Sequence, residues 1–427
     1  MPKLKRELGL FEVTMYGIGI ILGAGIYVLI GKAAGEAGNA VWMSFVLSAI
    51  LAGLTGLSFA ELSSMFPKDA GPYLYVRRAF GSKLFSFLIG WILIFALGLA
   101  AAAVTLGFAG YFNSLFGTEI ILIAAVALAI MTLINFWGIK ESANLNIVFT
   151  SVELLGLLII IFIAIPHLGS VNYFEMPFGF SGVIAATLLV FFAYLGFEDL
   201  VNISEEVKNA RKIVPKALLL SVAISSLLYI LVSISAVSLL NWETLAKSPA
   251  PLAEAAAGSF PNASLIISVI ALFATFNTAL FLLVAGSRLV YGISCQGSLP
   301  EIFQKIHPVR RTPWAAVVFL GLLSIAFLSL GGVKRVAQLT DWAAFLVFAV
   351  VNLAVVLLRY REPNIYRPFK VPLSIGKFSI LPAAGFLFSS AMLLNFDISE
   401  TLLGIGMIFV GVVIYFLLRR FSKNFCR

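Results

Sequence analysis

Charge is what this chain has least of. Only 11% of its 427 residues are Asp, Glu, Lys or Arg, against about 25% in soluble domains. So few polar groups cannot cover a globular surface, which excludes a soluble domain. Cysteine and histidine are scarce too, at two each. Cys295 and Cys426 cannot build a disulfide framework, and His167 and His307 share no ligand spacing with them, so no metal site is expected. Nucleotide motifs also fail. Gly17-x-Gly19-x-x-x-Gly23 is one residue longer than the dinucleotide fingerprint and follows no strand. The stretch from Gly25 to Lys32 is one residue too long for a phosphate loop, with Ala33 where Ser or Thr is needed. No cofactor and no nucleotide-driven pump is expected. An enzyme at membrane depth would need a His/Asp/Ser or metal cluster, and both histidines lie near span ends, so none is expected either.

What the chain does have is apolar length. At 61% hydrophobic, it fills about a dozen helical spans of roughly 20 residues. Runs such as Ile120 to Leu133 and Ile147 to Ile165 are continuous, not alternating, which excludes a β-barrel. The reading is an all-α polytopic membrane protein in a lipid bilayer, with about twelve helices beginning near residues 10, 40, 82, 119, 144, 181, 213, 262, 313, 336, 378 and 400. The basic start Met1-Pro2-Lys3-Leu4-Lys5-Arg6 leads into an apolar run too long for a signal peptide and lacking an A-x-A site, so it is expected to be retained as the first span. With the N-terminus inside, 25 of the 29 Lys and Arg fall on the cytoplasmic side, leaving Lys32, Lys247, Lys334 and Arg335 outside. That asymmetry predicts both termini in the cytoplasm. It also accounts for the net charge of +9 without nucleic acid, because the basic residues sit in short loops rather than in one stripe.

Two spans carry their own interruption. The first holds Gly17, Gly19, Gly23 and Gly25, and each glycine weakens a helix by about 1 kcal/mol relative to Ala. In the sixth, Phe191-Phe192-Ala193-Tyr194-Leu195-Gly196-Phe197-Glu198-Asp199 places two carboxylates just after a mid-span glycine. Lipid rejects such acids, so they face protein or water. Breaks in the first and sixth spans suggest inverted five-helix repeats with a small molecule held where the broken helices meet. The corresponding units are residues 1–170, 171–360 and, for the last two spans, 361–427. Exposed N–H groups at such breaks suit a carboxylate and exposed C=O groups suit an ammonium, so a zwitterion fits both. Close helix packing through Gly19 and Gly23, or Gly31 and Gly35, is the plainer account of the glycines.

The segment Phe59-Ala60-Glu61-Leu62-Ser63-Ser64-Met65-Phe66-Pro67-Lys68-Asp69-Ala70-Gly71-Pro72-Tyr73-Leu74-Tyr75-Val76-Arg77-Arg78-Ala79-Phe80-Gly81 resembles the signature of permeases of the amino acid/polyamine/organocation family. The Gly23-Ala24-Gly25-Ile26 break and the stretch from Glu205 to Pro215 resemble that family as well, although Ala210 stands where the family usually has Pro. The small Ala24 site and the apolar Phe192 region favour neutral amino acids. Cationic substrates are the alternative, because Glu198 and Glu153 could attract a cationic side chain and the motifs are closest to those of cationic amino acid transporters and their prokaryotic relatives. The resemblance implies a five-plus-five inverted-repeat fold, like that of the sodium-coupled leucine transporters, and transport of amino acids by alternating access across the plasma membrane, coupled to H⁺ or Na⁺ or run as exchange. It further implies that the substrate carboxylate rests on amides around Gly23, Ala24, Gly25 and Ile26, and that the ammonium meets carbonyls of Phe192, Ala193 and Leu195. By the same resemblance Phe192 stands at an aromatic gate and Glu198 at a proton-sensing glutamate, plain interhelical hydrogen bonding being the alternative for Glu198.

Glu153 lies deep in the fifth span, where an ionised acid costs about 2.5–3.5 kcal/mol. It must be paired, hydrated or protonated, which makes it a candidate coupling site. Proton-coupled relatives usually carry a lysine there. The reversed sign leaves a protonatable Glu153, or a carboxylate that helps bind Na⁺, or a structural pairing with a nearby Asn or Ser. Asp199 is expected to approach the cytoplasmic vestibule, and Glu205 and Glu206 to sit in a solvated loop. Glu61 with Arg77 or Arg78 is a candidate inner-gate pair, interfacial anchoring being the alternative for the arginines. Phe273, Phe276, Asn277 and Thr278 of the eighth span are candidate walls of a pocket or ion site, ordinary helix packing being the favoured reading for the two phenylalanines. A sensor or channel on the same fold is the competing class, but a channel would show a repeated filter or a ring of like residues, and none is visible.

Overall fold

The structure, a computed structural model, describes residues 8–67, 71–137, 143–308, 310 and 312–421. For Ala24, residues 143–146, Asn202, Ile203, Glu205, Glu206 and Phe421 it describes the main chain alone. The basic N-terminal run, Lys68, Asp69, Lys140, Arg311, Lys423, Cys426 and Arg427 lie outside the described residues, as do the side chains of Glu205 and Glu206.

Long apolar runs with nowhere to hydrogen-bond but along their own backbone fold as helices, and the chain is helical almost throughout. Among the described residues, nine stretches are long and apolar enough to cross a membrane. One of them, Leu10–Met65, contains two crossings, and two shorter apolar helices, Trp314–Leu330 and Ile380–Leu393, bring the spans to twelve. Each begins within three residues of its expected start. The first span is two helices, Leu10–Leu22 and Ala24–Ala37. Val41–Met65, Lys83–Phe116, Ile120–Trp137 and Ala143–Ala164 follow as the second to fifth spans. The sixth is Gly179–Val190 followed by 3₁₀ turns over Phe191–Tyr194 and Phe197–Glu206. Ala210–Leu239, Ala263–Cys295, Trp314–Phe327 and Val333–Arg361 make the seventh to tenth spans. Ile380–Leu393 and Ile398–Phe421 are the last two. A two-strand hairpin, β1 (Ser374–Ile375) and β2 (Phe378–Ser379), precedes the eleventh span.

The spans differ in how much of them is enclosed. In the apolar window of Leu10–Met65, 82% is buried, against 17% in Ile398–Arg420. The first two spans are therefore core, and the twelfth is wrapping whose Leu402 and Phe409 face outward, as lipid-facing residues do. Neighbour relations follow a pattern. The second span packs on the seventh, the third on the eighth and the fourth on the ninth; the first packs on the seventh while the second packs on the sixth. Small polar side chains tie these pairs together. Ser44 and Ser48 of the second span donate to the carbonyls of Val183 (2.9 Å) and Thr187 (3.2 Å) in the sixth. Ser221 of the seventh donates to the carbonyl of Thr14 (3.1 Å) in the first.

Candidate functional site

Both suspected spans are interrupted, and the interruptions touch. The first span breaks at a single residue, Gly23 (φ −39°, ψ −107°), which separates its two helices. The sixth tightens into the 3₁₀ turn Phe191–Tyr194, extends at Leu195 (ψ 148°) and reverses at Gly196, whose φ of +112° suits a residue without a Cβ. The approach is closest where side chains are absent. A Cβ on Gly25 would lie 2.2 Å from Cα of Ala193, and one on Gly196 would lie 2.1 Å from Cγ2 of Ile20. Each break thus presses on the chain beside the other. Gly23 in turn faces the eighth span, where a Cβ would fall 1.7 Å from Oγ1 of Thr278.

One side chain joins the two breaks. The buried Tyr229 hydroxyl of the seventh span bonds the carbonyl of Ile21, just before the first break, and that of Ala193 (2.8 Å), just before the second. A phenol carries one proton to donate. It serves one carbonyl at a time, and the other keeps capacity for a different donor. Phe192 is buried in the same turn, and its carbonyl accepts from Leu195 N at 3.2 Å.

The two singled-out glutamates belong to separate places. Glu153 is fully enclosed, and neither of its carboxylate oxygens has a hydrogen-bond partner among the described residues. Asn277 of the eighth span is near enough to act on it electrostatically, although outside hydrogen-bond geometry. The Tyr27 hydroxyl donates to the Glu153 main-chain carbonyl (2.9 Å), and Tyr111 of the third span donates to the carbonyl of Tyr27 (2.7 Å). Glu153 therefore adjoins the second helix of the first span, beside its break. Glu198 instead lies past the second break, where its Oε2 accepts from Gly196 N at 2.9 Å, while Asp199 N donates to the carbonyl of Gly196 at 3.0 Å. Beneath it the Phe197 ring meets Phe59 edge-on (5.9 Å, 90°) and leans on Phe348 (5.5 Å), an aromatic plug between the break and the C-terminal end of the sixth span.

Several expectations need correcting. Glu61 pairs with neither Arg77 nor Arg78. Its carboxylate takes Nε and Nη2 of Arg359, at the end of the tenth span, at 3.0 and 2.5 Å, and the amide of Val371 at 2.8 Å. Arg367 adds a third cationic contact at 3.4 Å. Burial pulls the Arg367 guanidinium below its ordinary value, and the Glu61 charge pulls it back up. Sequence alone could not favour a residue 298 positions away over two basic neighbours. Arg78 sits over the Phe66 ring (5.8 Å), the contact an interfacial anchor makes. Phe273 points outward at 55% exposure, and Phe276 packs on Phe108 (6.0 Å), the packing favoured for it over a pocket wall. Thr278 faces the first span's break at Gly23, and Asn277 lies near Glu153. Oγ1 of Thr278 has no hydrogen-bond partner among the described residues.

Three residues of this region were not singled out from sequence. Tyr229 gives no signal there, because tyrosine is at home in a span, and Arg359 reads as one more cytoplasmic cation. Asp341 did have a signal, a lone acid inside the tenth span of the same kind that marks Glu153.

Comparison with known proteins bears on the whole chain. Residues 8–418 match the family model described as amino acid permease. The branched-chain amino acid permease BcaP of Bacillus subtilis (strain 168) is 32% identical over 98% of this chain and 94% of its own. The methylthioribose transporter of the same organism is 34% identical over 86% of this chain and 84% of its own. Human cationic amino acid transporter 4 is 30% identical over 84% of this chain and 61% of its own. These names cover three substrate chemistries at near-equal identity, so likeness of this degree does not choose among them.

Proposed function

This chain belongs to the amino acid permease family and is a secondary amino acid transporter of the membrane, not an enzyme; we propose that it works by alternating access around the paired breaks, driven by protons taken up at Glu153. The α-carboxylate of the substrate rests on the first amides of the Ala24–Ala37 helix, those of Ala24, Gly25 and Ile26, where no preceding turn uses the N–H groups and the helix dipole favours an anion. Its α-ammonium takes carbonyls of Phe192, Ala193 and Leu195. The observation that carries this reading is the double attachment of Tyr229, which leaves one of two facing carbonyls open to another donor.

The two halves, 1–170 and 171–360, act as inverted repeats, with 361–427 appended. Support comes from exchange symmetry. Shifting every span by five turns the second-on-sixth contact into the seventh-on-first contact, and each is tied by a serine donating to a carbonyl of the broken span. Phe192 and the plug below it form the gate on the cytoplasmic side, with Glu198 as its titrating group. Both termini lie in the cytoplasm, and the bilayer is the plasma membrane. The orientation rests on the distribution of Lys and Arg, and the membrane on the family resemblance. A sodium ion in place of the proton is favoured by one observation: Thr278 Oγ1 and the Glu153 carboxylate, both without hydrogen-bond partners among the described residues, are hard oxygen ligands near the first break.

Proteoliposome uptake of a panel of radiolabelled amino acids, under an imposed proton or sodium gradient, tests this directly. Accumulation driven by an inward proton gradient is expected. Uptake that ignores both gradients and needs amino acid inside would replace coupling with exchange, and no uptake of any amino acid would overturn the reading.

A further inference from the structure

The tenth span presents one polar stripe to the first two spans. Eighteen residues are about five whole turns of helix and eleven about three, so Asp341, Asn352 and Arg359 lie along one line, and Lys334, seven residues before Asp341, falls near it. Each polar member of that line but one is matched across the interface. Lys334 is paired with Glu36. Asn352 is bonded to Ser58 at 2.6 Å and Thr55 at 3.1 Å. Arg359 holds Glu61 through two nitrogens. Asp341 is the exception. It has no accessible surface, and neither carboxylate oxygen has a hydrogen-bond or ion-pair partner among the described residues.

Its position gives the exception meaning. One turn further along, Phe345 stacks on Phe191 with centroids 4.3 Å apart, so the stripe passes directly over the sixth-span break. The Phe192 amide and the Glu198 carboxylate both lie close enough to act on Asp341 electrostatically. A buried carboxylate with one main-chain amide nearby, outside hydrogen-bond geometry, and an acid for a neighbour is costly. The protein keeps it beside the place where an amino acid is to be bound.

We propose that Asp341 is a substrate-binding residue that takes the cationic end of a basic amino acid side chain, an alkylammonium or guanidinium, while the main-chain breaks hold the α-groups. This rests on the transporter reading above and adds the substrate class to it. A side-chain cation suits the place better than a bare metal ion, because it arrives on an alkyl stem. The stacked rings of Phe345, one turn along from Asp341, and Phe191 offer that stem apolar contact and the cation a ring face.

The test is equilibrium binding to the full-length protein in nanodiscs, using L-lysine, L-norleucine, which lacks the ε-ammonium, and cadaverine, which lacks the α-carboxylate. Wild type is expected to bind lysine at least about tenfold more tightly than norleucine, the scale of one charge-assisted hydrogen bond, and cadaverine more weakly than lysine. Asp341→Asn should collapse the lysine-to-norleucine ratio toward one. Should that variant not fold, Asp341→Glu gives a second readout, because a carboxylate one methylene longer should shift preference from lysine to the shorter ornithine. Norleucine bound as tightly as lysine, an unchanged ratio in Asp341→Asn or an unshifted preference in Asp341→Glu would overturn the assignment. Cadaverine binding equal to lysine would make the site one for diamines and overturn it as well. The two readings fail separately: wild type that binds norleucine but not lysine sinks this inference alone, whereas wild type that binds no amino acid sinks the transporter reading beneath it.

Discussion

Gly25 lies main chain against main chain on Ala193, so close that a methyl group at position 25 would stand 2.2 Å from the Ala193 Cα. The obstacle is backbone, which cannot swing aside as a long side chain would. Overpacking of this kind costs about 1–3 kcal/mol. Gly25→Ala should therefore push the two breaks apart and lower uptake per folded protein by more than about tenfold. Uptake in proteoliposomes, normalised to the monodisperse fraction, checks this. Gly53, where nothing lies within 4 Å of an added Cβ, supplies the control, and Gly53→Ala should transport normally.

Tyr229 links the carbonyls of Ile21 and Ala193 through one hydroxyl. Tyr229→Phe leaves both buried acceptors without that donor, at a cost of about 1–3 kcal/mol. The substrate-free variant should melt below wild type. Saturating substrate, whose ammonium takes up the freed carbonyls, should narrow the gap. Melting curves with and without amino acid read both effects, and equal curves in the absence of substrate would contradict the bridging role.

Two ion pairs offer a contrast. Glu61 and Arg359 are 1% and 3% exposed, while Lys334 and Glu36 are 44% and 31% exposed. Removing one member of a buried pair strands the other charge, at about 3–5 kcal/mol. A solvated pair is worth about 0–1 kcal/mol. Glu61→Gln should severely reduce folded yield and thermal stability, whereas Lys334→Gln should leave both near wild type.

The Glu153 carboxylate has no hydrogen-bond partner among the described residues, and its main chain is tied to Tyr27, just past the first break rather than the second. Glu153→Gln keeps its shape and removes its proton exchange. Uptake driven by a pH gradient should be abolished, while substrate binding measured at equilibrium survives in part. Full gradient-driven uptake in this variant would move the coupling site elsewhere.

The extent to which this molecule is legible in its sequence follows from the range of the interactions. Spans are local: an apolar run between charges must be helical in lipid, and all twelve begin near where hydropathy places them. Breaks are nearly local. Glycines between positions 17 and 25 weaken the first span, but which of them ruptures is not written locally: Gly17, Gly23 and Gly25 each pack against residues far along the chain, and the break falls at Gly23. Gly196 stands where the sixth span turns, because its φ of +112° admits few other residues. Partners are not local at all. Glu61 has two arginines within seventeen residues and chooses one 298 away, because the second and tenth spans end side by side. Asp341 was within reach of the rule that found Glu153, a lone acid in an apolar run. Tyr229 was not, since nothing about a tyrosine in a span says that two carbonyls converge on it.

Density for a bound amino acid, in a cryo-electron microscopy map of the protein in nanodiscs with substrate present, tests the central claim most directly. The account predicts the carboxylate against the amides of Gly25 and Ile26, the ammonium within hydrogen-bond reach of the Ala193 carbonyl, and both spans still interrupted there. Substrate seated away from these segments, or a first and sixth span that run through as continuous helices when it binds, would contradict it.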